Sequence, residues 1–167
     1  MAIPASVTSI GNGAFNGCNN LTTVKVKFTS PLSIAPNTFS NRANATLEVP
    51  AGCEEAFSKA TYWKDFKSFA ESSADIVFAD AKVKAICVEN WDTDNDGDLN
   101  VEEAAAVTSL GGVFRNNQSI TSFDELIYFT GQSSIDGYAF NGCSGLTSIA
   151  LPKSVTSIGS WAFQNCI

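Results

Sequence analysis

The sequence predicts an α/β solenoid in two blocks, built of short strands joined by turns or short helices. A helix–loop–helix unit is expected between the blocks. Three observations carry this expectation. First, Val7-Thr8-Ser9-Ile10-Gly11 returns as Val155-Thr156-Ser157-Ile158-Gly159, with the related Val107-Thr108-Ser109-Leu110-Gly111 between them. Second, a fixed tail follows: Ala14-Phe15-Asn16-Gly17-Cys18, Ala139-Phe140-Asn141-Gly142-Cys143 and Ala162-Phe163-Gln164-Asn165-Cys166. Phe140 to Phe163, Ile135 to Ile158 and Cys143 to Cys166 each span 23 residues. Third, residues 89–103 hold seven acidic side chains and no Lys or Arg.

Each element of the repeat has a reason. Leu21, Val24 and Val26 alternate with Thr and Lys, and Leu146, Ile149 and Leu151 keep the same spacing. Alternation with period two is the mark of a half-buried strand. Pro4 and Pro152 end such segments, because proline has no N–H for a sheet. Five residues separate Ile from Phe in Ile10–Phe15, Ile135–Phe140 and Ile158–Phe163. Small residues such as Gly11, Gly13 and Ala14 lie between, which suits a tight turn. One such unit buries nothing alone, whereas stacked units share a continuous core. A period of 23 falls among leucine-rich repeats.

A degenerate copy follows the first. Ile34 and Phe39 keep the spacing, Leu47-Glu48-Val49-Pro50 matches Ile149-Ala150-Leu151-Pro152, and Arg42 replaces the cysteine. Ala56, Phe57, Ala60, Trp63, Phe66 and Phe69 then recur every three or four residues. That predicts an amphipathic helix over residues 53–69, capping the open end of the block. Residues 71–75 read as a linker. The expected segments are 1–70 (repeats and cap helix), 71–106 (linker and acidic unit) and 107–167 (second repeat block).

The acidic window carries the chemistry. Asp92-Thr93-Asp94-Asn95-Asp96-Gly97-Asp98-Leu99-Asn100-Val101-Glu102-Glu103 fits an EF-hand loop at each position. Asp92, Asp94 and Asp96 would supply side-chain oxygens and Asp98 its backbone carbonyl. Asn100 would act directly or through water, and Glu103 with both carboxylate oxygens. Gly97 sits where the chain must turn sharply, and the apolar Leu99 would pin the loop to the core. Hard oxygen donors without sulfur or nitrogen select Ca2+ over zinc. Upstream, Val83, Ile86, Cys87 and Trp91 share one helical face, with Asp80 placed as N-cap. Residues 102–107 would form the exit helix. Regulatory EF-hands come in pairs with Met-rich grooves. Here one loop is visible and the only Met is Met1, so the expected calcium is structural, placed at the start of the second block.

Composition bounds the function. The 167 residues carry 10 basic and 17 acidic side chains, a formal net charge of −7. Outside the acidic window the signs balance. With no basic patch, nucleic acid is not an expected partner, and no apolar run approaches the ~20 residues of a membrane helix. The chain has no histidine, which removes His-based nucleophilic, acid–base and zinc chemistry. The five cysteines (Cys18, Cys53, Cys87, Cys143, Cys166) follow repeat spacing and not a pairing pattern, so a ladder of buried thiols is expected. Asp124 and Glu125 are adjacent and are read as turn or surface, not as a glycosidase pair. Tyr62, Trp63, Tyr138 and Trp161 are candidates for an exposed sugar-binding platform, with packing between turns the competing reading.

IPASVTSIGNGAFNGCNNLTTV and LPKSVTSIGSWAFQNC resemble the BspA-like leucine-rich repeats of bacterial surface proteins. VPAGCEEAFSKATYWKDF resembles a closing segment of Bacteroides-type members. The resemblance implies a secreted or cell-surface recognition and adhesion module, not an enzyme. Its partner would be a protein or glycan on host or neighbouring cells. The alternatives are an accessory binding region of a glycan-degrading enzyme and a structural spacer of a large adhesin. A repeat opens and closes the sequence without caps. The chain is therefore expected to be a fragment, with head-to-tail self-association through its open ends.

Overall fold

A computed structural model describes residues 1–166. The chain forms two compact units, Met1–Ala74 and Asp75–Ile167.

In the first unit, β1 (Ala2–Ile3), β2 (Thr23–Val26), β3 (Thr46–Pro50) and β4 (Ser68–Ser72) form one parallel sheet in chain order. The pairs Ala2 with Lys25, Thr23 with Thr46 and Thr46 with Ser68 advance one repeat per strand. The alternating apolar residues explain this register, because a one-residue slip would turn Val24, Leu47 and Val49 out of the core. All three are fully buried.

The helix expected over residues 53–69 is not formed, and this reading is corrected. α1 covers only Glu54–Lys59, a 3₁₀ turn follows at Trp63–Asp65, and β4 pairs with β3 along its whole length. The helix stops where Ala60 turns extended (φ −78°, ψ 141°), and Tyr62, left-handed at φ 66°, then leads into the 3₁₀ turn. The same apolar residues still close the core. Phe57 and Trp63 are fully buried and meet edge-on at 5.4 Å, and the Trp63 indole N–H donates to the Leu32 carbonyl at 2.7 Å. Trp63 is thus no surface aromatic. The expected linker is corrected too: Glu71 and Ser72 belong to β4, and Asp75 bridges to Asn100.

In the second unit, α2 (Ala81–Trp91) and α3 (Val101–Ala106) precede the repeats. β5 (Ser122–Phe123) pairs in parallel with β7 (Ser148–Ile149), and β6 (Ser134–Ile135) with β8 (Ser157–Ile158). Each coil therefore contributes two short strands, one before and one after its Phe turn. Phe114, Phe140 and Phe163 stack through the turns, with ring centroids 5.2 Å apart in both steps. Gly145 packs against the Gln118 and Ile120 carbonyls, and Gly131 packs in the same way against those of Ala105 and Val107. A Cβ at Gly131 would lie 2.4 Å from the Ala105 oxygen, so only glycine fits there. Val83, Cys87, Leu99 and Ala104 share one core with Phe114, Phe123, Phe129 and Phe140. The boundary expected at 106/107 thus falls inside a single core.

The ladder is buried in its interior only. Phe140 and Cys143 are inaccessible, Phe15 and Phe163 are half-buried, and Cys18 is exposed, contrary to expectation. The reason lies in the stacking. The Cys143 thiol donates to the Phe114 carbonyl and the Cys166 thiol to the Phe140 carbonyl, each at 3.0 Å. Each thiol uses the preceding turn, and Cys18 lies in the first.

Candidate metal centre

The acidic loop lies between two capped helices. Asp80 caps the start of α2: its carboxylate accepts from the Lys82 and Val83 N–H groups at 2.8 and 3.4 Å. The same carboxylate accepts the Thr121 N–H at 2.6 Å and its hydroxyl at 2.9 Å. At the end of the loop, Asn100 caps α3 in a reciprocal box. Its side chain accepts the Glu102 and Glu103 N–H groups, and Glu103 Oε2 accepts the Asn100 N–H at 3.0 Å. The exit helix therefore begins one residue earlier than expected and ends at Ala106.

Between the caps the chain wraps on its own carboxylates. Asp92 accepts from the Asp96 and Gly97 N–H groups at 3.3 and 2.9 Å. Asp94 accepts from Asp96 N–H at 3.1 Å, and Asp96 from Asp98 N–H at 3.0 Å. Asn95 (φ 56°) and Gly97 (φ 88°) make the left-handed turns, as residues that tolerate that region. Asp92, Asp94 and Asp96 each bring a carboxylate oxygen within 4.8 Å of the others. Like charges at that distance repel by roughly 1 kcal/mol in water and about 3 kcal/mol at an effective dielectric of 20. A divalent cation relieves this, and an all-oxygen donor set fits calcium.

The other expected ligands stand elsewhere. Glu103 closes the loop from inside: its Oε1 accepts the Thr93 N–H at 2.8 Å and hydroxyl at 2.9 Å. The Asp98 side chain pairs with Lys84 of α2, which leaves Asp98 its backbone carbonyl. The Asn100 side chain is spent on the helix cap.

The sequence reading missed two partners. Thr93 seats the Glu103 carboxylate, as above. Ile76 donates its N–H to the Leu99 carbonyl at 2.8 Å, and Asp75 bridges antiparallel to Asn100. In paired loops a second loop strand would take that place; here residues 75 and 76 take it. The apolar run Ile76-Val77-Phe78 after a polar stretch was the available signal.

The remaining candidates resolve individually. Asp124 accepts the Ser148 hydroxyl at 2.6 Å on the surface, whereas Glu125 is buried and accepts the Ala79 N–H at 2.8 Å. The two carboxylates hold different segments and do not form a pair, and Glu125 is not a surface residue. Cys87 is fully buried; burial, then the nearby Glu125 charge, push its thiol well above the ordinary range. All five cysteines are free thiols. Tyr138 and Trp161 are exposed.

One family model matches this chain: the BspA type leucine rich repeat region, in six copies over residues 1–90 and 111–167. The residues outside the match, 91–110, contain the whole acidic loop. No curated protein matches the chain.

Proposed function

Because the chain belongs to the BspA-type leucine-rich repeat family, we propose that it is a non-enzymatic recognition and adhesion module of a bacterial cell surface or the extracellular space. The family is associated with surface recognition and adhesion. No helix among the described residues is long and apolar enough to cross a membrane. In this reading the repeats form a solenoid that presents its turns and strands to a protein or glycan on host or neighbouring cells. The 92–103 loop is an EF-hand-type site whose calcium is structural.

The carrying observation is Leu99. It is fully buried in the core shared with the second repeat block, and its carbonyl is bound by Ile76. A loop anchored in this way has little freedom to open a groove as a sensor does. Its cation would serve to hold α2 and α3 against the first coil. A thermal melt in EDTA and in millimolar calcium, run beside binding to protein- and glycan-coated surfaces, tests both halves. Equal melting temperatures would remove the structural-calcium reading, and absence of any cell-surface ligand would remove the adhesion reading.

A further inference from the structure

The repeat has two left-handed positions, and the sequence treats them differently. Two residues after the Phe stand Gly17 (φ 81°), Asn116 (60°), Gly142 (76°) and Asn165 (61°). Glycine and asparagine are the residues that tolerate this region best. Two residues before the Phe stand Gly13 (68°), Tyr138 (63°) and Trp161 (62°). Gly13 shows that glycine suffices for the turn there. Tyr138 and Trp161 instead place large aromatics on a backbone that disfavours them, whereas Asn37 and Gly112, at the same place before Phe39 and Phe114, are not left-handed; strain of this kind gathers at ligand-binding sites.

Packing does not account for the choice. Tyr138 has a coil on each side, since its N–H donates to the Ser160 carbonyl and Arg115 lies over its ring, yet it is 40% exposed. Trp161 is 56% exposed. The position therefore faces solvent even within the stack. The Arg115 guanidinium carbon lies 4.9 Å from the Tyr138 ring centroid. It has no acidic partner among the described residues, so N–H donors remain at the edge of the ring. Asn141 holds, one coil on, the place that Arg115 holds before Tyr138, and it donates to Gln164 at 2.9 Å on the surface.

We propose that the row Arg115, Tyr138 and Trp161, edged by Asn141 and Gln164, is a binding surface for an uncharged polysaccharide laid across successive coils. This rests on the recognition reading above and names its ligand class. Exposed aromatic rings bury apolar area against the C–H faces of sugars; Arg115 covers one face of Tyr138, so Tyr138 offers the part of its ring that Arg115 leaves exposed, beside the more exposed Trp161. Planar amide and guanidinium groups at the edge donate to and accept from hydroxyls. Charge favours an uncharged chain: Arg115 is the only cation in the row, so a polyanion would find no succession of cations along it, and seven of the twelve acidic side chains of residues 75–167 lie apart in the 89–103 loop.

Affinity electrophoresis of the chain through gels containing xylan, mannan or a soluble β-glucan tests this, with polygalacturonate as the charged arm. Tyr138→Gly, Trp161→Gly and the double variant are run beside the parent, each with a thermal melt. At least one neutral polysaccharide should retard the parent. Each single variant should weaken retardation about tenfold, and the double variant should abolish it. The variants should melt no lower than the parent, because glycine relieves the turn. The proposal falls if no neutral polysaccharide retards the parent, if polygalacturonate alone does, or if the double variant still binds. A lowered melting temperature in the glycine variants would assign the aromatics to packing and would also overturn it. If the double variant still adheres to a protein-coated surface while no polysaccharide binds the parent, the recognition reading survives without the glycan row.

Discussion

The carboxylate of Asp80 binds both the N–H and the hydroxyl of Thr121, 41 residues along the chain, at 2.6 and 2.9 Å. One side chain thus starts α2 and fixes it to the coil that leads into β5. Burial opposes its charge, but the bonds from Thr121, Lys82 and Val83 outweigh this and bring its pKa down from 3.8 to about 2. The depressed value means the fold favours the charged form. The contribution is complete above about pH 4 and is lost as pH falls through about 2, on the order of 2 kcal/mol in all. Melts of the parent and Asp80→Asn between pH 5 and pH 2, both in EDTA, should show the shallower slope in the variant. Parallel slopes would refute the assignment.

Gln132 occupies the place held by Val155 in the following coil, eight residues before the Phe in each case. Its side chain is fully buried, and neither Oε1 nor Nε2 has a hydrogen-bond partner among the described residues. An orphaned buried amide costs about 1–3 kcal/mol. Gln132→Val should therefore raise stability by a comparable amount in denaturant unfolding, against the usual trend for core substitutions. A fall in stability would show that the amide has a partner the geometry does not reveal.

Position in the stack should set both packing energy and thiol reactivity. Phe140 is sandwiched between Phe114 and Phe163, so Phe140→Ala should cost about 3–5 kcal/mol. Phe163→Ala should cost clearly less, because that ring is half-buried. Cys18 is exposed and should react quickly with a thiol reagent in the folded state. Cys143 should react slowly: its sulfur is buried, and burial pushes its pKa up to about 11. Equal labelling rates at the two sites would count against burial of Cys143 between the coils.

The interior of the repeat was legible because each coil must bury the same side chains. Ile135, Phe140 and Cys143 recur at the positions the structure buries, and Asp80 announces its helix through local chemistry alone. Residues 53–69 misled for a physical reason. Phe57, Trp63, Phe66 and Phe69 are spaced as on a helix, but the pairing of Leu47 with Phe69 is a long-range contact that periodicity does not encode. The extended Ala60 and left-handed Tyr62 also interrupt a pattern that side-chain types alone make continuous. At the acidic loop the ligand types were legible, whereas the seat of Glu103 on Thr93 and the bridge from Asp75 to Asn100 depend on how the loop closes.

Calcium should stabilise the second unit through Asp92, Asp94 and Asp96, whose mutual repulsion it removes, and by mass action it should raise the melting temperature. Affinity on the order of 10⁻⁴ to 10⁻³ M is expected, as in extracellular modules, so the titration must reach millimolar metal. Two substitutions separate ligand from scaffold. Glu103→Gln removes a charge at the last ligand position and weakens the seat on Thr93, so it should lower stability in EDTA and also blunt the calcium response. Asp98→Asn breaks the pair with Lys84, a partly exposed contact whose loss costs about 1 kcal/mol or less. It should leave the calcium response intact, because residue 98 offers its backbone carbonyl and not its carboxylate. The outcome that would sink the assignment is a melting temperature that ignores calcium in the parent. A calcium response lost in Asp98→Asn but kept in Glu103→Gln would instead relocate the ion to the Lys84 side of the loop.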